Sequence, residues 1–174
     1  MIKVLAGKYK NRKLKYFDNP SIRPTQSRVK KSLFDTIQDL EGKKVLDLFC
    51  GVGTLGIEAI SRGAKSVKFV DNNNKAINIL KQNLSLLSIG SEQHIINADV
   101  IKFMSNEQEK YDLILADPPY YKFNLEDFLP SISNNILNNG TFCYETGKQE
   151  NTNNFALKIK KFGNTQLIFW RKNV

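Results

Sequence analysis

The stretch KKVLDLFCGVGTLG, Lys43 to Gly56, decides the fold. Its first half, 43–49, is a short apolar run that ends in turn residues, the pattern of a strand buried on both faces of a parallel sheet. Its second half, 51–56, matches G-x-G-x-x-G letter for letter. Alone that match is a weak signal; a strand before it and a helix after it give it weight. The glycines let the backbone come close to a ligand, and a helix starting near Thr54 aims its free N–H groups at the same place. Leu55, Ile57, Ala59 and Ile60 predict that helix over 54–63, stopped by Gly63.

Outward from this turn the pattern repeats. A strand is expected over 66–71, then an amphipathic helix over 74–90 that spaces Ile77, Leu80, Leu84 and Leu87 three or four apart and ends at Gly90. A strand at 94–99, a short helix at 100–106 and the most apolar strand, 111–119, follow. A helix over about 124–137 and a strand at 139–147 come next, then two strand-like runs around Gly163-Asn164 that read as a hairpin. Successive strand–helix units imply a parallel sheet, wound right-handed, with helices on both faces. An antiparallel hairpin at the end is compatible with such an α/β sheet.

The chain has 174 residues, 41% apolar and 25% charged, which suits one globular domain. It contains no apolar run of the ~20 residues a membrane span needs. The start MIKVLAGKYK lacks the apolar stretch and cleavage site of a signal peptide, so a soluble, cytoplasmic protein is expected. Cys50, Cys143 and the lone His94 show no paired metal-ligand spacing, and no metal is expected.

Charge is unevenly placed. The net charge is +9, and residues 1–31 hold ten basic residues (Lys3, Lys8, Lys10, Arg12, Lys13, Lys15, Arg23, Arg28, Lys30, Lys31) against one acid, Asp18. The rest of the chain balances, with 16 basic and 16 acidic residues. A positive field confined to one segment attracts a polyanion, nucleic acid or an acidic membrane surface, with nucleic acid favoured.

Three acids and one tetrapeptide carry the chemistry. Asp71, twenty residues after Gly51, ends the second strand where an acid accepts the hydroxyl protons of an adenosine ribose. Asp99 ends the third strand, near an adenine amino group, with helix capping as its competing role. Asp47 places negative charge beside the turn, which favours the cationic methionine end of S-adenosyl-L-methionine over the pyrophosphate of a nicotinamide dinucleotide. The fourth strand ends Asp117-Pro118-Pro119-Tyr120. Its prolines fix the backbone and remove N–H donors. The Asp117 carboxyl and the Pro118 carbonyl then make two acceptors for one amino group, aiming its nitrogen at a methyl sulfonium, while Tyr120 offers a face for stacking a base. His94 reads as structural, Cys50 as a small turn residue, and Cys143 and Trp170 as core; for Glu58, on the first helix near the turn, an exposed or capping role weighs at least as much as a functional one.

DLFCGVGTLGIEAISRGA with Asp71, Asp99 and DPPY resembles the class I, Rossmann-like S-adenosylmethionine-dependent methyltransferases that act on exocyclic amino nitrogens. More narrowly, GKYKNRKL followed by RPTQSRVKKSLFDTI is similar to the N-terminal signature of the RsmD family, bacterial 16S rRNA (guanine-N2)-methyltransferases of the small ribosomal subunit. The resemblance runs from about Val4 to Lys172. It implies a mostly parallel seven-stranded sheet with a C-terminal antiparallel hairpin. It also implies a basic N-terminal RNA-binding extension, 1–31, on a catalytic core, 32–174, of one domain. Phe49, Cys50, Gly51 and Gly53 would line the methionine end, Asp71 with Asn72 the ribose, and Asp99 with Val100 the adenine. Asp117, Pro118 and Tyr120 would form the guanine-N2 site. Arg23, Thr25 and Arg28 would lie between cofactor and RNA, and Lys8, Lys10, Arg12, Lys13 and Lys15 would track phosphates on a small hairpin. Cys50 and Val52 replace smaller residues usual in the turn, and Tyr120 stands where Phe is common. The implied partner is 16S rRNA in a 30S particle or assembly intermediate, met by a monomer. Two other readings stay open: a DNA amino-methyltransferase, which the lack of an insertion for sequence recognition disfavours, and a non-catalytic RNA-binding or ribosome-assembly module.

Overall fold

A computed structural model describes residues 2–16, 27–90, 92–119, 125–147 and 157–172. A two-residue pair, β1 (Ile2–Lys3) and β2 (Lys13–Leu14), forms an antiparallel hairpin. Helix α1 (Ser27–Ile37) follows; then come β3 (Lys44–Leu48), α2 (Thr54–Ser61), β4 (Ser66–Asp71), α3 (Asn74–Leu86), β5 (His94–Asn97), α4 (Val100–Asn106), β6 (Tyr111–Ala116), α5 (Leu125–Asn135), β7 (Ile136–Gly147), β8 (Lys158–Phe162) and β9 (Thr165–Arg171).

The large sheet has seven strands in the order β5-β4-β3-β6-β7-β9-β8. The first five are parallel, and β9 and β8 close the sheet as antiparallel strands. Alternate residues of each strand face opposite helix layers, as the pleat requires. Val45, Phe69, Leu113, Cys143 and Leu167 pack with Leu33, Phe34, Ile57 and Leu80 from α1, α2 and α3. Leu46, Val70, Ile114 and Ile168 pack with Met104, Phe128 and Ile132 from α4 and α5. The chain leaves β3 toward β4 on one side and reaches β6 on the other, so strand order reverses between β3 and β6. Ligands of open α/β sheets sit at the carboxyl ends of strands at such a switch point. The Asp117 N–H, donated to the Leu48 carbonyl at 3.4 Å, ties the two strand ends together there.

Several boundaries move from their sequence expectations, each for a local reason. Helix α3 ends at Leu86, short of Gly90, because Ser88 takes the left-handed position (φ 52°) and Ile89 N–H closes back on the Leu84 carbonyl at 3.0 Å. Strand β5 stops at Asn97 because Asp99 caps α4 through Lys102 N–H at 3.0 Å. Strand β6 stops at Ala116, before the two prolines remove its donors. Helix α5 ends at Asn135, whose amide donates to the Glu107 and Glu109 carbonyls, and Ile136 already pairs with Tyr111. Gly63 does end α2's C-terminal turn, at φ 103°.

Helix α1 is not foreseen from the sequence, in which its lysines belong to the basic segment. It runs across residue 31 and buries Val29, Leu33 and Phe34; Val4 and Leu14 of the hairpin join the same core. No helix among the described residues is long and apolar enough to cross a membrane.

Candidate functional site

The turn after β3 is held in an unusual backbone conformation. Phe49 adopts the left-handed region (φ 56°), which costs a bulky residue of order 1–3 kcal/mol. Such strain persists where surrounding contacts over-determine it. Here Cys50 N–H reaches the Val70 carbonyl at 3.1 Å, Gly53 N–H the Cys50 carbonyl at 2.8 Å, and Gly51 N–H the Asp71 carboxyl at 2.8 Å. Asp71 also accepts from Asn73 N–H at 2.8 Å, so this carboxyl locks the turn of β3 to the end of β4. Gly53 must be glycine for contact as well as for its φ of 85°: a β-carbon there would lie 2.3 Å from Leu80 Cδ1. A β-carbon on Gly51 would meet nothing within 4 Å, leaving open space over the turn.

Asp47 lies beneath the turn, 1% exposed. Its Oδ2 accepts Gly56 N–H at 2.8 Å, and Oδ1 has no hydrogen-bond partner among the described residues. Burial, opposed by the Gly56 N–H and reinforced by the Asp117 and Asp71 carboxyls, pushes its carboxyl up to about 8. The fixed negative charge expected of Asp47 is therefore suppressed at neutral pH by the cost of desolvating it. An orphaned buried oxygen and a glycine with open space above it both fit a polar ligand seated on the turn.

This titration has a measurable consequence. Unfolded Asp47 loses its proton near pH 4, whereas the folded chain keeps it to about 8. Between these values the folded state binds the extra proton, so this group makes stability fall as pH rises, with no further loss above 8. In urea melts from pH 5 to 9, Asp47→Asn is expected to gain on the parent chain up to about pH 8 and then run parallel. A constant offset across the range would refute the shift.

Asp117 is half-buried at the end of β6, Pro118 is buried and Pro119 exposed. Asp117 acts electrostatically on Asp47, Cys143 and Tyr144, so it sits among the groups at the carboxyl end of the sheet. Asp99 and Asn72 are exposed on the same end, Asp99 spending one oxygen on its cap; Val100 is core, packed with Leu46 and Leu48. Burial raises the Cys50 and Cys143 thiols well above their ordinary value, which suits packing and not nucleophilic attack. Tyr120, Arg23 and Thr25 lie outside the described residues. Among the described residues no group of three or more His, Cys, Asp or Glu is placed to hold a metal ion.

The basic hairpin lies across the outside of α2 and α3. Lys8, Lys10, Arg12, Lys13 and Lys15 are all exposed. Lys8 N–H donates to the Ser61 carbonyl at 2.7 Å, the Arg12 guanidinium to the Leu86 carbonyl at 3.1 Å, and the Lys15 ammonium to Gln82 at 2.9 Å. Arg28 is exposed in the first turn of α1.

Two buried polar residues were not read from sequence as parts of this assembly. Asn83, fully buried, accepts from Lys15 N–H at 2.7 Å and donates to the carbonyls of Lys15 and Val52 at 3.0 and 3.1 Å. It joins hairpin and glycine turn through one side chain. Its signal in the sequence was an amide standing on the apolar stripe of Ile77, Leu80 and Leu84. Glu58 is 0% exposed. It accepts from Leu5 and Ala6 N–H at 2.8 and 3.0 Å and pairs with Lys30 and Arg62. Glu58 is not exposed because, besides the neighbouring Arg62, its partners come from the hairpin and from α1, far away in sequence.

The sheet order, the glycine turn after β3 and the acid-bearing strand ends define a Rossmann-like class I methyltransferase fold. The chain belongs to the family described as conserved hypothetical protein 95, whose model matches residues 2–171, in keeping with the RsmD resemblance. A relative from Buchnera aphidicola subsp. Baizongia pistaciae, named ribosomal RNA small subunit methyltransferase D, is 37% identical over 171 residues, covering 92% of this chain and 86% of that protein. A relative of the same name from Haemophilus influenzae is 36% identical over 156 residues, covering 86% and 80%. A solved methylase structure from Haemophilus influenzae superposes with a TM-score of 0.81 at 30% identity, covering 99% of each chain.

Proposed function

We propose that this chain methylates the exocyclic N2 amino group of a guanine in 16S rRNA, taking the methyl group from S-adenosyl-L-methionine. The observation that carries the reading is the juxtaposition at the switch point: the Asp117-Pro118 strand end is tied to the strand end that leads into the glycine turn. The names of the relatives support small-subunit rRNA as the substrate, and the exposed basic hairpin supports a polyanion.

When bound, the cofactor supplies an electrophilic methyl group on a sulfonium. The open space over Gly51 would take its methionine end, and Asp71 and Asp99 would hold the ribose and adenine. Asp117 and the Pro118 carbonyl would accept hydrogen bonds from the two amino protons and so orient the amino nitrogen for attack. Alkylation would make the amino nitrogen acidic, so its proton could leave to solvent while Asp117 need only orient the group and accept its hydrogen bond. Positioning of this kind converts a loose encounter into an oriented displacement. The chain works in the cytoplasm, as a monomer, on a 30S particle or its precursor.

The test is methyl transfer from labelled S-adenosylmethionine into unmodified 30S particles, naked 16S rRNA and duplex DNA in parallel. Label in 30S recovered as N2-methylguanine is the expected result. Label in DNA alone would reassign the substrate, and no label with no cofactor binding would leave a non-catalytic RNA-binding module.

A further inference from the structure

The C-terminal strands carry a second concentration of positive charge. Residues 151–174 hold five basic residues and no acid, an excess that the acids of the middle of the chain conceal when 32–174 is counted as one block. Three of the five, Lys158, Lys160 and Lys161, lie on β8, the edge strand.

The pairing fixes which end of the sheet they occupy. Phe162 pairs with Thr165, and Thr165 pairs with Gly147, the last residue of β7. Strand β7 runs parallel to β6, so the Lys160–Phe162 end of β8 lies at the same end of the sheet as Asp117 and the glycine turn. The first turn of α1 meets it there. The Arg28 guanidinium stands 5.5 Å from the centre of the Phe162 ring, and Lys160 Nζ lies 3.1 Å from Ser32 Oγ. Arg28 and Lys161 are exposed and Lys160 is half-buried.

Lysines on an edge strand also keep other strands from adding to it. That role needs only charge along the edge. It gives no reason for an arginine delivered by a helix and stacked on an aromatic ring, nor for a lysine tethered to that helix, both at the end where the site lies.

We propose that Lys160 beside Arg28 on the α1 face of the edge strand, and Lys161 on its other face, form a second RNA-backbone contact, across the site from the Lys15 end of the hairpin. The hairpin's tip rests on the C-terminal ends of α2 and α3 at Ser61 and Leu86, and its Lys15 end is joined through Asn83 to Val52 of the glycine turn, while β8 lies four strand positions from β3, roughly 19 Å at ~4.8 Å per strand. Phosphates held at Lys15 on one flank and at the β8 lysines on the other would span the strand ends and present the nucleotide between them to Asp117. This inference rests on the RNA-methyltransferase reading and adds a surface to it.

The test compares the parent chain with Lys160→Gln/Lys161→Gln, measuring affinity for a 16S rRNA fragment from 50 to 300 mM salt, S-adenosylhomocysteine binding, and sedimentation. Two lost phosphate contacts should lower the salt slope by about 1.4, at ~0.7 per contact on single-stranded RNA, and weaken RNA binding about tenfold at low salt. The cofactor product should bind as before. Restoring charge with Lys160→Arg/Lys161→Arg should restore the slope. An unchanged slope in a soluble variant overturns the proposal, and an unchanged slope with new self-association assigns the lysines to edge protection. A parent chain that binds neither RNA nor cofactor product would instead bring down the enzymatic reading, and this surface with it.

Discussion

Asp117→Ala is expected to lower methyl transfer into 30S particles at least ~10²-fold, the scale on which losing the aim of a reacting group acts. The carboxyl stands one residue beyond the last pairing of β6 with β3, Ala116 opposite Leu48, while its own N–H is donated to the Leu48 carbonyl at 3.4 Å. Alanine keeps that backbone N–H, so the strand ends should stay joined and the fold should survive. The acceptor for an amino proton is lost, together with the carboxyl's electrostatic influence on Asp47, Cys143 and Tyr144. Asp117→Asn keeps a carbonyl oxygen that can accept one proton, so it should retain a measurable fraction of the rate. Binding of S-adenosylhomocysteine to the alanine variant should remain within a few-fold of the parent, because the contacts that fix the glycine turn come from Asp71, Val70 and Leu80. Equal rates in parent and Asp117→Ala would remove this residue from the reaction. A lost rate accompanied by lost cofactor binding would make its role one of holding the cofactor.

The parallel core was legible because buried parallel strands are short unbroken apolar runs and their helices carry a clean stripe. KKVLDLF, SVKFVD and YDLILA all fall on strands, and Gly51, Asp71 and Asp117 converge at one end of the sheet as their strand-terminal positions imply. What the sequence concealed is long-range pairing of polar groups. Lys30 looked like one more cation in a basic segment, yet it is 2% exposed. Glu58 reads as readily exposed or capping as functional, and Asn83 stands out in the sequence only as an amide beside the apolar stripe of α3. Each is explained only by a partner more than 25 residues away. Asp47 shows the same limit in its electrostatics: its charge can be counted from the sequence, but burial decides whether the charge is present.

Glu58→Ala should be among the most destabilising single changes in the chain. Glu58 Oε2 takes the Leu5 N–H at 2.8 Å and the Lys30 ammonium at 3.2 Å; Oε1 takes the Ala6 N–H at 3.0 Å and Arg62 Nε at 2.9 Å. Removing the carboxylate leaves a desolvated ammonium and two backbone N–H groups of the hairpin without it, and breaking a buried pair from one side costs roughly 3–5 kcal/mol. For a chain of this size that is a fall of about 10 °C in melting temperature, at ~2–4 °C per kcal/mol. Lys30→Met should cost less, because Glu58 keeps Arg62 and both N–H donors, while the lost ammonium forfeits one further bond, to the Lys3 carbonyl at 2.9 Å. The pH dependence distinguishes this account from simple cavity formation. Burial already lowers the Lys30 ammonium below its ordinary value, with Glu58 opposing the shift. Without Glu58 it falls further, so the unfolded chain binds the extra proton over a wider range below ~10.4, and stability rises with pH across that range. The deficit of Glu58→Ala should therefore be largest near pH 6 and shrink toward pH 10. A deficit that is flat in pH, or no greater than that of Lys30→Met, would mean the buried pair is not what holds the hairpin and α1 to α2.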